Sequence, residues 1–486
     1  MIEIQHKIHD NYSIEFKIGF VVRRSVKDNY FSINSWIFIP NSLDINPSTY
    51  GKDQFYRDVK SNVRLITPVF LLRDIAQNDA IPYQHIKTAF ETMASNPLRS
   101  NIAEYIHQIK MFMAITKSAL RDEAKHIQTI DNINDIKYLC NNYLDVVSDL
   151  VSKYRNLRQV INVPTVTNEV RNHFAFGDEY MSQIINIYFL KIIDKMNNYT
   201  DDELFEIKKQ FVDHLKLEDK YRKSMGYLTV DVNDADANKE LLFRHGLLKK
   251  YIENDLFVKL DKKEDGAAVR QLLYGVAAGF AMIIATVVAF PFQKTLSNYS
   301  ILLFIVLVIS YMLKDRIKEL MRYFFAHKLK NKYYDHKANI HIKDTNVGWI
   351  KEGVDFITDE KTPKQVLALR NRSSLLQAEN DIFDEKITLY RKKVYIDNDR
   401  LSGHYEYRIS GINDIIRLHI NRFTQKMDNP EVPIETITED GKVCSINGLK
   451  TYNLNIIMQF QYEDNVEYKG FRIIMSRDGI IDIRQL

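Results

Sequence analysis

The chain has 486 residues, with 67 lysines and arginines against 63 aspartates and glutamates. A formal net charge of +4 over that length is too mild to mark a nucleic-acid-binding protein. Glycine is scarce, at 16 residues, and none falls in a GxGxxG, GxxxxGKS or GxxxxGKT arrangement, which excludes those mononucleotide-cradling loops.

From Met1 to Thr67 the pattern is strand-like. Ser13 to Val22 alternates around Ile14, Phe16, Ile18 and Phe20, and Phe31 to Ile39 is aromatic and β-branched until Pro40 stops it. The first residues, MIEIQHKIHD, are charged and lack an apolar core, so no N-terminal signal peptide is expected. From Pro82 onward long low-glycine segments predict helices over Ser100–His126, Ile133–Val160, Val166–Met196 and Asp201–Lys223, the last opened by a Thr200/Glu203 capping box. The acidic stretch Gly226–Asn238 reads as a linker or exposed loop ahead of a helix that leads to the membrane.

Two apolar runs then follow, Gln271–Phe292 and Leu296–Leu313. The first spans roughly 33 Å as a helix, enough for a hydrocarbon core of about 30 Å. Only Gln293–Thr295 separate them, so a tight transmembrane hairpin is expected. Lys259, Lys262, Lys263 and Arg270 precede it. Lys314, Arg316, Lys318, Arg322, Lys328, Lys330 and Lys332 follow it and, set against Asp315 and Glu319, leave a net +5 suited to anionic lipid headgroups. That asymmetry predicts a multi-pass protein of the cell inner membrane with both termini cytoplasmic. Within the hairpin Ala277, Ala281, Ala285 and Ala289 recur every four residues, and Gly275 with Gly279 forms a GxxxG on an adjacent stripe. Small residues let helices approach closely, which predicts packing within the chain and between copies, hence a homo-oligomer. Thr286 and Ser310 are the candidate pore-lining side chains.

Beyond the membrane segment, strands are expected at Ile387–Ile396, His404–Ser410, Pro433–Ile437, Val443–Ile446, Leu454–Tyr462 and Tyr468–Ser476, with one helix at Ile412–Met427. The predicted fold class is therefore an α+β membrane protein. Its parts are a β-rich N-terminal segment (1–80), a helical cytosolic domain (81–225), a linker and membrane-entry helix (226–269), a two-helix transmembrane hairpin (270–313), a juxtamembrane basic helix (314–336) and a C-terminal antiparallel α+β domain (337–486).

Chemistry is sparse. The closest histidine pairs, His6 with His9 and His336 with His341, lack a second pair at zinc spacing, and no GxSxG elbow or HExxH helix occurs, so no metal, cofactor or catalytic residue is assigned. The carboxylates Asp440 and Glu467 with Lys469 form a weak metal-dependent phosphodiester-cleaving pattern, better read as polar residues flanking a sheet. Tyr390, Arg391 and Lys393 mix aromatic and basic character and are the candidate ligand-binding residues, with nucleic acid a weakly supported partner. The leading functional expectation is an oligomeric membrane protein whose cytosolic domains sense a ligand or protein partner and act on the membrane helices, as in a ligand-gated pore. By architecture alone this resembles membrane effectors of bacterial defence systems. The alternatives are a membrane-tethered phosphodiester-directed enzyme and a passive scaffold that recruits cytosolic partners.

Overall fold

The computed structural model describes the chain except for residues 24, 296–300, 331–332, 343, 381–384 and 404–406. Two compact units emerge: a sheet unit of Met1–Val63, Val258–Tyr405 and Gly411–Leu486, and a helical unit of Arg64–Phe257 with Glu406–Ser410.

In chain order the strands are β1 (Ile2–Asp10), β2 (Ser13–Val21), β3 (Asp28–Ile39) and β4 (Val59–Leu65), then β5 (Lys259–Glu264), β6 (His336–Ile342), β7 (Thr345–Ile357), β8 (Lys386–Asp397) and β9 (Gly411–His419). The hairpin β10 (Glu431–Ile437) and β11 (Val443–Leu449) follows, and β12 (Tyr452–Tyr462), β13 (Asn465–Ser476) and β14 (Gly479–Gln485) close the chain. An eight-stranded sheet runs β14-β13-β12-β3-β8-β7-β6-β5, and a four-stranded sheet runs β1-β2-β9-β4. Strand β3 sits between β8 and β12, with Trp36 opposite Leu389 on one side and Ile457 on the other. Residues predicted as a separate N-terminal segment and a separate C-terminal domain therefore build one sheet.

The sheets stack through aromatic pairs, Phe16 on Phe471 and Phe20 on Phe31, each with ring centroids 5.3 Å apart. Strand β2 is buried along almost its whole length, as expected for a strand with a neighbour on each side and a sheet across from it. On part of the large sheet's surface, Trp36, Phe38, Ile387 and Ile457 form a buried cluster with Val366, from the short helix Lys364–Arg370.

Several expectations are corrected here. The predicted helix Ile412–Met427 is strand β9 followed by the single turn Asn421–Thr424. Ile412, Ile415 and Ile416 are β-branched, and β2 offers β9 a full antiparallel ladder, so sheet pairing outweighs the helical spacing. No strand forms over Tyr407–Ser410, and the rest of the strand expected at His404–Ser410 lies outside the described residues.

The two-helix transmembrane hairpin is also corrected. Among the described residues one helix, over Ala267–Pro291, is long and apolar enough to cross a membrane. Its companion helix, Ile301–Lys330, is apolar only through Leu313, about 20 Å of helix, before Lys314, Asp315 and Arg316 interrupt it. The start of the second predicted run, 296–300, lies outside the described residues. The chain leaves the large sheet at β5 and rejoins it at the paired neighbour β6, so both ends of this helical excursion are rooted on one sheet edge.

In the helical unit the sequence is a closer guide. Helices span Arg99–Thr129, Ile133–Asn156, Asn168–Met196 and Asp202–Ser224, within a few residues of expectation. The last is capped by Asp201, whose carboxylate accepts the Leu204 amide at 2.9 Å, rather than by Thr200. Arg155 holds the bundle together from within, donating to Asp178 at 2.9 Å and pairing with Glu218. Within 226–269 the helix Ala235–Glu253, capped by Asp234, belongs to the helical unit, and β5 follows it before the apolar helix.

Candidate functional site

A cavity of about 750 Å³ lies in the sheet unit where the apolar helix leaves the sheet. Its wall takes Lys52 and Tyr56 from the helix Lys52–Asp58, Lys262 to Glu264 from β5, Gly266, Arg270 and Tyr274 from the root of the apolar helix, and Tyr333 to His336 from the return of the companion helix into β6.

Two carboxylates fasten these parts. Asp265 is buried and accepts the Tyr334 amide at 3.2 Å and the Lys351 ammonium at 3.1 Å, joining the entry of one helix to the exit of the other. Asp335 accepts Lys52 at 2.7 Å, the Tyr56 hydroxyl at 2.9 Å and the Val354 amide at 2.7 Å. Burial alone would raise the Asp335 pKa, but Lys52 and the Val354 amide more than offset it and hold the carboxyl below its usual range. Gly266 turns the chain from β5 into the helix with φ +72°, and a side chain there would begin 2.7 Å from the Tyr333 ring. Only glycine fits both the left-handed backbone and that contact.

Behind this cavity a smaller chamber of about 90 Å³ shares Tyr56, Lys262 and His336 with it and is lined further by Ser61, Glu352 and Tyr390. Beside it lies a buried ion network between the two sheets. Lys392, 1% exposed along its side chain, bonds Asp414 from β9, Glu352 from β7 at 3.0 Å and Ser61 from β4 at 3.2 Å. Ser61 also donates to Asp414 at 2.6 Å, and Lys262 reaches Glu352 from the cavity side at 3.2 Å. Burial lowers the Lys392 pKa, yet Asp414 and Glu352 together hold it well above the ordinary lysine value. A lysine held protonated this way cannot accept a proton from Ser61, so the pair does not make a serine nucleophile with a lysine base. Glu352 is desolvated as well, but Lys392 and Lys262 pull its pKa down to about 2. The Tyr390 hydroxyl is buried without a hydrogen-bond partner of good geometry, so the chamber wall carries an unused donor.

The residues singled out in the sequence fall as follows. Tyr390 points inward with Lys392, whereas Arg391 and Lys393 lie on the opposite face of β8, so the three do not converge. Arg391 pairs with Asp355 and lies over the Tyr334 ring at 5.3 Å, which brings it to the back of the cavity wall, while Lys393 is exposed. Ala277 and Ala281 are fully buried and Ala285 nearly so, Ala289 is half-buried, and the Ser310 hydroxyl donates to the Ala285 carbonyl at 2.7 Å. The alanine seam thus faces the companion helix, and Ser310 is bonded into it. Gly275 and Gly279 are exposed with open space around the Cβ position, and Thr286 donates to its own helix at Met282.

Lys314, Arg316, Lys318 and Arg322 follow the apolar part of the companion helix, with Arg322 over the Tyr274 ring at 5.5 Å. Lys332 and the side chains of Lys328 and Lys330 lie outside the described residues. Glu467 pairs with Lys469 at 3.1 Å on β13, while Asp440 sits in the turn of the exposed β10–β11 hairpin; among the described residues no group of three potential ligands could hold a metal.

Lys392, Asp414 and the roots of the helices escaped the sequence reading. Strand alternation does put Lys392 on the inward face with Tyr390, which was the one available signal. Comparison of the chain with protein-family models, with curated proteins and with solved structures found no significant match.

Proposed function

We propose that this protein is a membrane-anchored sensor, in which ligand binding by the sheet unit is relayed to an apolar helix that enters the bilayer from one side. The observation that carries the proposal is the composition of the 750 Å³ cavity: the root of the apolar helix and the return of its companion supply part of its wall, so an occupant touches both the sheet and the helices. Support for membrane entry comes from the helix surface, where Leu272 is 67% exposed, Phe280 55%, Val287 66% and Phe290 65%. So large a contiguous apolar surface is rarely left in water.

The test is flotation of the full chain with phosphatidylcholine vesicles. Wild type is expected to float and to resist alkaline extraction, and Phe280→Lys with Val287→Lys is expected to abolish both while the sheet unit stays folded. A wild-type protein that remains monodisperse and vesicle-free without detergent overturns the membrane reading.

A further inference from the structure

We infer that the cavity at the root of the apolar helix is a phosphate site, which takes a lipid headgroup phosphate or a soluble phosphate ester between Lys262, Lys263 and Arg270 and against Tyr274. The inference deepens the membrane-sensor reading by naming the ligand chemistry, and only its lipid branch depends on that reading.

The cations stand on two elements that meet at one point. Lys262 and Lys263 lie on β5, and Arg270 is one turn into the apolar helix, immediately before its uncharged stretch begins at Gln271. If that stretch occupies hydrocarbon, Arg270 and Tyr274 stand at headgroup depth, where basic and aromatic side chains collect. Arg322 stacks over Tyr274 from the companion helix and adds a fourth positive charge at the same level.

The carboxylate partners of Arg270 and Lys263 are replaceable, whereas Lys262 stays paired with the buried Glu352 at 3.2 Å. Arg270 is bonded to Glu264, and Lys263 to Asp261 at 2.8 Å, where the lysine is 71% exposed and the aspartate 42%. Such surface pairs contribute little, so a dianionic phosphate entering the cavity can compete with them for the cations. Asp335 is no competitor, because Lys52, Tyr56 and the Val354 amide already occupy its oxygens. Tyr56 and His336, packed edge to face with centroids 4.7 Å apart, offer a polar-edged aromatic wall at the mouth of the inner chamber. An esterified group extending inward would meet the Tyr390 hydroxyl there.

The experiment uses the full chain in phosphatidylcholine nanodiscs, titrated calorimetrically with inorganic pyrophosphate, and in parallel flotation with phosphatidylcholine vesicles containing phosphatidic acid. Saturable binding in either arm, weakened at least about tenfold by Lys263→Gln with Arg270→Gln and unchanged by Lys209→Gln at an exposed position of the helical unit, supports the site and identifies the source. The single Lys263→Gln variant, expected to weaken binding by a smaller factor, guards against loss of folding in the double. Absence of saturation in both arms, or binding that survives the double substitution, overturns it. If the wild type fails to enter neutral vesicles yet binds pyrophosphate in detergent through Arg270, the membrane reading fails and the phosphate site stands. If it enters vesicles but recognises neither probe, the phosphate site alone fails.

Discussion

Replacing Lys392 by methionine tests whether the buried ion network holds the two sheets together. Met matches the length of the lysine stem, so the change removes an ammonium and little volume. Among the described residues it leaves Asp414, fully buried, with only the Ser61 hydroxyl at 2.6 Å, and Glu352 with only Lys262 at 3.2 Å. Removing one partner of a buried pair typically costs about 3–5 kcal/mol, and the surviving partners place this case near the lower end, about 3 kcal/mol. For a unit of this size that corresponds to a fall in melting temperature of roughly 5 °C. Both tryptophans, Trp36 and Trp349, belong to the sheet unit, so intrinsic fluorescence during urea unfolding reports that unit and not the helical one. Adding Asp414→Asn removes the stranded charge, and the double variant should be less destabilised than the sum of the two single changes by about 2 kcal/mol. A loss below about 1 kcal/mol for Lys392→Met, with additive effects in the double, would show that the network is solvated and does not bind the sheets.

Three further outcomes follow from the same geometry. Because the Glu352 pKa falls from an ordinary glutamate value to about 2 on folding, its contribution is complete above about pH 4.5 and lost as pH drops toward 2. The tryptophan-detected stability should therefore fall by roughly 3 kcal/mol across that window, and Glu352→Gln should flatten this part of the profile. Gly266→Ala should loosen the helix root, costing about 1–2 kcal/mol for the left-handed backbone alone, and hydrogen exchange should speed up over Ala267–Tyr274; unchanged exchange would refute the clasp between Gly266 and Tyr333. Ala281→Leu should disrupt the helix pair by about 1–3 kcal/mol through overpacking, whereas Gly279→Leu should leave the pair intact and lower the subunit number by mass photometry if a second copy packs on that open stripe.

How far the fold could be read from the sequence depended on whether the deciding contact was local. The bundle helices and strands β8, β12 and β13 were legible because their periodicity reports burial directly. The helix expected at Ile412–Met427 failed because Ile412, Ile415 and Ile416 fit helical spacing, while the ladder to β2 that makes them a strand comes from the far end of the chain. The place of β3 between β8 and β12 was equally invisible, since no local pattern names a strand's neighbours. In the apolar segment the small-residue spacing was readable, but not which stripe the companion helix covers. At the cavity, Arg270 and the β5 lysines were noted as flanking charge, yet their convergence with Tyr56 and Tyr333 depends on β5 pairing with β6. Lys392 looked like one more cation in a basic run, because its partners Asp414, Glu352 and Ser61 come from three other strands.

The position of β3 bears on the order in which the protein is made. As the chain leaves the ribosome, β3 emerges early, but neither of its partners exists until the apolar helix has been synthesised and β8, then β12, have followed. The helical unit, whose contacts are mostly among nearby segments, can fold during that interval, while β3 waits with both edges unpaired and open to aggregation. Commitment of the apolar helix to its destination thus precedes closure of the sheet that anchors it. A nascent chain stopped before Tyr452 would leave one edge of β3 open to chaperones or proteases, whatever the bundle had already achieved.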